Sequence, residues 1–209
     1  MKCIIPLKPF YYIRHGESEW NTLGKFAGGQ IDTPLTEKGR RQAENTKTVF
    51  NALDPAPTHI FHSYLSRARD TATIINKDRQ IPMFEKYNLR EVDAGEWEGM
   101  QSYEARQKWA QGLSPNSGEN LDQLACRINE AFSEVLNEKI CALPLIAAHG
   151  RLLNGLDHLL GFEQRNLQTE NCQLMYFDPV PGRKYPWNVY ILTIKNGQIH
   201  KELADWSQI

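Results

Sequence analysis

The sequence has no apolar run near the roughly 20 residues that cross a bilayer; its longest, such as Leu143 to Ala148, is far shorter. That excludes a membrane-spanning helix. The N-terminus, Met1-Lys2-Cys3-Ile4-Ile5-Pro6-Leu7-Lys8-Pro9, lacks the unbroken apolar stretch of a secretory signal, and a cytoplasmic protein is expected. Cysteine is sparse: Cys3, Cys126, Cys141 and Cys172 are scattered, without the close pairs of zinc or redox sites, and are expected as reduced thiols, mostly buried. Charge of one sign is missing too, since 24 Lys and Arg face 25 Asp and Glu. No general basic field exists to draw the chain to nucleic acid or an acidic membrane, so neither is expected as a partner and any anion binding must be local. A Gly-x-x-x-x-Gly-Lys-Ser/Thr loop is absent, which argues against a nucleoside-triphosphate hydrolase. Without repeats, low-complexity tracts or a Ser/Gly-rich linker, residues 1–209 are expected to form one domain.

What is present is ordinary globular composition, 41% hydrophobic and 23% charged. Phe10-Tyr11-Tyr12-Ile13 predicts a strand stopping at Arg14-His15-Gly16. Ala43, Thr46, Phe50 and Leu53 recur at helical spacing after a plausible N-cap, Thr36. Thr58 to Ser63 reads as a strand and Ser66 to Ile75 as a helix close behind it. Starting from Ser117, residues Leu121, Leu124, Ile128, Phe132, Val135 and Ile140 mark one face of a long helix. Leu143 to Ala148 is apolar at successive positions, as in a strand covered on both faces, and also ends in His-Gly. A leucine-rich helix from Leu152 stops at Gly161, and Asn196-Gly197 joins the arms of a hairpin. The alternation predicts an α/β fold: a mostly parallel central sheet flanked by helices on both faces, with scope for an antiparallel edge.

His15 and His149 each follow a strand and precede a glycine that permits a tight turn and close ligand approach. In a parallel sheet such ends share the edge where ligands bind. Arg14 precedes the first histidine, and Arg67 lies where a strand gives way to a helix; two guanidinium forks and a helix N-terminus suit a phosphate. Arg69 is expected to face solvent, and Trp97 and Trp109 to pack. His59 and His62 are expected on opposite strand faces, so no metal pair is expected.

Arg14-His15-Gly16-Glu17-Ser18-Glu19-Trp20-Asn21, Asp32-Thr33-Pro34-Leu35-Thr36-Glu37-Lys38-Gly39, Ser63-Tyr64-Leu65-Ser66-Arg67-Ala68, Leu89-Arg90-Glu91 and His149-Gly150 together resemble the histidine phosphatase, or phosphoglycerate-mutase-like, superfamily over almost the whole chain. The resemblance implies that His15 is the nucleophile and is transiently phosphorylated. Arg14, Arg67 and His149 would be phosphate ligands, joined by Asn21 and the backbone at Gly150, and Glu91 the proton donor to the leaving alkoxide. The implied reaction is hydrolysis of a small phosphomonoester with neither metal nor cofactor, the arginines offsetting phosphoryl charge. Nearby arginines are expected to favour ionised Glu91 until a bound phosphate dianion raises its pKa. A phosphoglycerate mutase is the alternative, disfavoured by the phosphatase-like Val92-Asp93-Ala94-Gly95-Glu96-Trp97-Glu98-Gly99 and by only Arg106 and Lys108 as bases between Met100 and Ser117. A silent phospho-ligand binding domain is a third reading. Arg151 stands where many such phosphatases have small residues and is a candidate contact for a second anionic group, solvent exposure being the alternative. Phe26-Ala27-Gly28-Gly29-Gln30 is expected to line the substrate side.

Overall fold

A computed structural model describes residues 5–162 and 167–204. In chain order the elements are β1 (Phe10–Arg14), α1 (Glu19–Thr22), α2 (Glu37–Asn51), β2 (His59–His62), α3 (Ser66–Ile75), β3 (Met83–Glu85), α4 (Ser102–Ala110), α5 (Leu121–Asn137), β4 (Pro144–Ala148), α6 (Gly150–Leu159), β5 (Leu174–Pro179), β6 (Trp187–Lys195) and β7 (Gln198–Leu203), with single 3-10 turns at Tyr87–Leu89 and Gly95–Trp97.

The seven strands form one sheet in the order β3-β2-β4-β1-β5-β6-β7. Pairings from β3 through β1 are parallel, and those from β1 through β7 antiparallel. The fold is the expected α/β domain; its antiparallel part is a three-strand meander rather than a single edge. Alternation along the strands divides the core. Tyr11, Ile13, Ile60, Leu145 and Ala147 join Ala43 of α2 and Ala72 and Ile75 of α3 on one face. Phe10, Tyr12, Ile146 and Ala148 join Ile128 and Phe132 of α5 and Leu152, Leu153 and Leu156 of α6 on the other. β4, in the interior of the parallel half, is buried at all five positions, which is why it carries no polar alternation.

Two helix boundaries depart from expectation. α5 begins after Asn120, whose side chain accepts from the Gln123 N–H in a capping box, while Ser117 sits in a left-handed turn at φ 55°. Ile140 lies past the helix end and is 63% exposed. The hairpin residues Asn196 (φ 54°) and Gly197 (φ 77°) have the backbone that favours Asn-Gly. Cys141 and Cys172 are buried and Cys126 half-buried, all three as free thiols; Cys3 lies outside the described residues. Trp97 and Trp109 pack edge to face at 6.0 Å, and Arg69 pairs with Asp70. Among the described residues no helix is long and apolar enough to cross a membrane, and no three His, Cys, Asp or Glu are grouped to hold a metal.

The placement that matters for chemistry is β1 beside β4, parallel, with Arg14 paired to Ala148. Their carboxyl ends therefore deliver His15 and His149 to one spot.

Candidate active site

His15 begins the turn after β1 with its N–H donating to Ala148 O at 3.1 Å. Gly16 is compulsory there: a Cβ would stand 2.6 Å from Gly39 O in the first turn of α2. The Gly16 N–H donates to Thr71 Oγ1 of α3 at 3.0 Å. The glycine thus permits close packing between the turn and α2. His15 Nδ1 lies 2.7 Å from Gly16 O. A carbonyl only accepts, so Nδ1 carries the proton and Nε2 keeps its lone pair. Burial, then Arg67 and Arg14, hold the His15 pKa well below the usual histidine value, and the ring is neutral.

His149 is fully buried, its ring centroid 5.2 Å from that of His15. The Tyr12 hydroxyl donates to its carbonyl at 2.5 Å. Neither ring nitrogen has a hydrogen-bond partner among the described residues, and burial together with Arg67 pushes its pKa well below the ordinary value. Arg14 is anchored by a bond from Nη1 to Thr169 O. Arg67, in the first turn of α3 and 1% exposed, donates to Gly28 O at 2.9 Å and Ile31 O at 3.2 Å. Asp32 caps that helix, accepting the Ser66 N–H at 2.9 Å, and lies 3.8 Å from Arg67 Nη1. Each arginine keeps a buried Nε without a partner among the described residues. Buried donors left unmatched are costly unless a ligand meets them.

Glu91 is 6% exposed. Its carboxylate accepts from the Val92 N–H at 2.9 Å and the Arg151 N–H at 3.4 Å. Burial raises its pKa above the usual carboxylate value, against the opposing pull of Val92, Arg67 and Arg151. This corrects the expected balance: desolvation outweighs the arginines, so the pKa is already raised before any phosphate arrives.

His15, Arg14, Arg67, Glu91, Asn21, Gly150 and Arg151 line one cavity of about 110 Å³; His149 lies beneath it, at zero exposure. Asn21 Oδ1 accepts from the Ser18 N–H at 3.1 Å and from Asn171 at 3.4 Å, which leaves its amide group as donor. Gly150 opens α6 at the cavity wall. A Cβ there would meet nothing closer than 3.6 Å, so its glycine is not forced by packing. Arg151 lies over the rings of Trp109 (5.6 Å) and Phe26 (5.9 Å) as part of the wall.

Of residues 26–30 only Phe26 and Ala27 line the cavity. Gly28 and Gln30 instead donate to Glu98 at 2.9 and 3.1 Å, and Gly29 to Val92 O at 2.7 Å, which cups the loop around Arg67. Lys25, Ser102, Arg106, Gln168 and Thr169 complete the lining and were not singled out from sequence. They come from α4 and from irregular segments, where no strand-end or helical pattern marks a side chain as inward-facing. Among the described residues the lining holds five cationic side chains, Arg14, Lys25, Arg67, Arg106 and Arg151, and one acid, Glu91.

The family model for the histidine phosphatase superfamily (branch 1) matches residues 10–186. The chain is 34% identical over 182 residues to "Probable phosphoglycerate mutase GpmB" of Photorhabdus laumondii, covering 80% of this chain and 83% of that one. It is 32% identical over 191 residues to the protein of the same description in Cronobacter sakazakii, covering 85% and 86%. Among solved structures, the alpha-ribazole phosphatase of Shigella flexneri superimposes with TM-score 0.70 at 24% identity over 93% of this chain and 99% of that one. A mycobacterial glucosyl-3-phosphoglycerate phosphatase gives TM-score 0.71 at 22% identity over 94% and 97%, and likewise shows a shared fold. The motif residues at the ends of β1 and β4, the matching fold and the family model agree: the chain belongs to branch 1 of the histidine phosphatase superfamily.

Proposed function

We propose that this chain is a metal-independent phosphomonoester hydrolase that works through a phosphohistidine. His15 Nε2 attacks phosphorus, forming the N–P bond as the P–O bond to the substrate breaks. Glu91 gives its proton to the departing alkoxide. Water, deprotonated by the same carboxylate, then attacks phosphohistidine and releases inorganic phosphate and neutral His15. Arg14 and Arg67 offset charge on the equatorial oxygens, helped by Asn21, His149 and the backbone at Gly150. The observation that carries the reading is the 2.7 Å contact of His15 Nδ1 with Gly16 O, which leaves Nε2 unprotonated in a cavity lined by arginines.

The outer cations favour a substrate with a second anionic group. A phosphate dianion offsets part of the charge of Arg14, Lys25, Arg67, Arg106 and Arg151; a carboxylate or another phosphate at the remote end would offset more. The same feature, with the description of the relatives, supports a second reading as a phosphoglycerate mutase, against which the segment following Glu91 stands. One experiment separates them. Purified protein with excess chelator is given a panel of phosphomonoesters and, separately, a phosphoglycerate with a bisphosphoglycerate primer. Release of inorganic phosphate without interconversion of phosphoglycerates is expected; interconversion faster than release would establish the mutase.

A further inference from the structure

Bonded to the backbone of Glu91, and not among the residues that line the cavity, lies another buried arginine that the chemistry above does not use. Arg127 projects from the second turn of α5 with 7% of its side chain exposed. All its donors are engaged. Nε and Nη2 form a two-pronged pair with Glu119 at 2.6 and 2.7 Å. Nη1 donates to Asn88 O at 2.8 Å and Arg90 O at 2.9 Å, and Nη2 also reaches Glu91 O at 3.3 Å. Glu119 in turn accepts the Asp93 N–H at 2.9 Å, and its own N–H donates to Asp93 O at 2.8 Å. Burial pushes the Glu119 carboxyl up, but Arg127, with the Asp93 N–H and Arg90, more than offsets this and holds its pKa below the usual carboxylate value.

A buried ion pair is poor value as a stabiliser, because apolar residues of similar volume hold a core as well or better. What this one does is directional. It ties the carbonyls of residues 88, 90 and 91 and both backbone groups of residue 93 to α5, whose start is fixed by the Asn120 capping box. From the other side Gly29 closes on the same strap: its N–H donates to Val92 O, and a Cβ on it would stand 2.5 Å from Glu91 O. The backbone of Glu91 is gripped from both sides, and from that fixed backbone its carboxyl is held by the Val92 and Arg151 N–H groups.

We propose that Arg127, held by Glu119, is a positioning residue for Glu91: it touches no substrate and sets the location from which Glu91 passes its proton. This rests on the donor role of Glu91. Small displacements of a catalytic group are expensive, of order a hundredfold for 1 Å, so the effect should be large on proton donation and small on everything else.

The test uses Arg127→Met and the milder Glu119→Gln, which keeps shape and loses charge, should the first fail to fold. Each is compared with wild type on an alkyl phosphate and on 4-nitrophenyl phosphate, alone and combined with Glu91→Gln, while amide hydrogen exchange is followed across the chain. Expected are a fall of about tenfold to a hundredfold in kcat/KM for the alkyl phosphate and no more than about threefold in kcat/KM for the aryl phosphate, whose leaving group needs little protonation. No additional loss is expected in the Glu91→Gln background, and amides 89–94 should exchange faster while those of β1 and β4 do not change. Equal losses in kcat/KM on both substrates, or full additivity with Glu91→Gln, would overturn the proposal. If wild type hydrolyses neither phosphate, the functional reading fails, whereas unchanged exchange at 89–94 in a folded Arg127→Met protein would refute the clamp by itself.

Discussion

Glu91→Gln removes a proton donor with little other change, and the structure says how much else should move. The carbonyl of glutamine can keep the bond from the Val92 N–H at 2.9 Å, and the contact to the Arg151 N–H, already long at 3.4 Å, is the single one set against a donor. Losing so weak a bond costs about 0.5–1.5 kcal/mol, so a folded protein with an intact phosphate site is expected. Proton transfer by a positioned acid contributes about 10²–10⁴-fold, or roughly 2.7–5.5 kcal/mol at 1.36 kcal/mol per decade. That loss should appear in kcat/KM for alkyl phosphates, which stops at formation of phosphohistidine, and largely vanish from kcat/KM for 4-nitrophenyl phosphate, while kcat falls with both because Glu91 also deprotonates the water of the second step. Because burial raises the Glu91 pKa, the basic limb of wild-type kcat/KM for alkyl phosphates should sit above the usual carboxylate range and be missing in the variant. Steady-state kinetics on both substrates across pH decides it: an equal fall in kcat/KM on both, or a retained basic limb, would refute the donor role.

Arg151→Ala should lower kcat/KM about tenfold to hundredfold for a substrate carrying a second anion, equivalent to roughly 1.5–3 kcal/mol for a charge-assisted hydrogen bond, and barely change hydrolysis of 4-nitrophenyl phosphate; a parallel fall would move Arg151 into the transferring-phosphate site. Stability should decline as pH falls below about 6.5, because unfolded histidines then take up protons that buried His15 and His149 refuse, at up to about 1.4 kcal/mol per pH unit for each. Glu91, with its pKa raised, acts in the opposite sense, since the native state holds a proton above pH 4.5 that the unfolded chain has lost. Denaturant unfolding between pH 7 and 5 should therefore show a shallower slope for His15→Asn than for wild type, and identical slopes would contradict a depressed His15 pKa.

The site's floor was legible because its residues sit at places the chain itself marks. His15 and His149 end apolar runs, and Arg67 stands at the head of an amphipathic helix, so strand and helix periodicity alone brought them to one edge. The periodic signal also misled at the ends of α5, where Asn120 outcompetes Ser117 as cap and Ile140 continues the pattern by coincidence into solvent. The outer wall carried no such mark. Lys25, Ser102, Arg106, Gln168 and Thr169 reach the cavity through tertiary placement of α4 and of irregular segments, and the three-strand meander includes β5, whose six residues lack a clean alternation. The Glu91 environment was misjudged for a physical reason: adjacent arginines are visible in a sequence, whereas the burial that overrules them is not.

The central claim is that His15 Nε2 becomes phosphorylated. Rapid acid-free quenching of wild type during turnover of a labelled phosphomonoester, followed by alkaline and acid treatment and by peptide mapping, tests it directly. The account predicts acid-labile, alkali-stable label on the peptide containing His15 in wild type and none in a folded His15→Ala protein; label retained in His15→Ala, or hydrolysis by that variant at the wild-type rate, would contradict it.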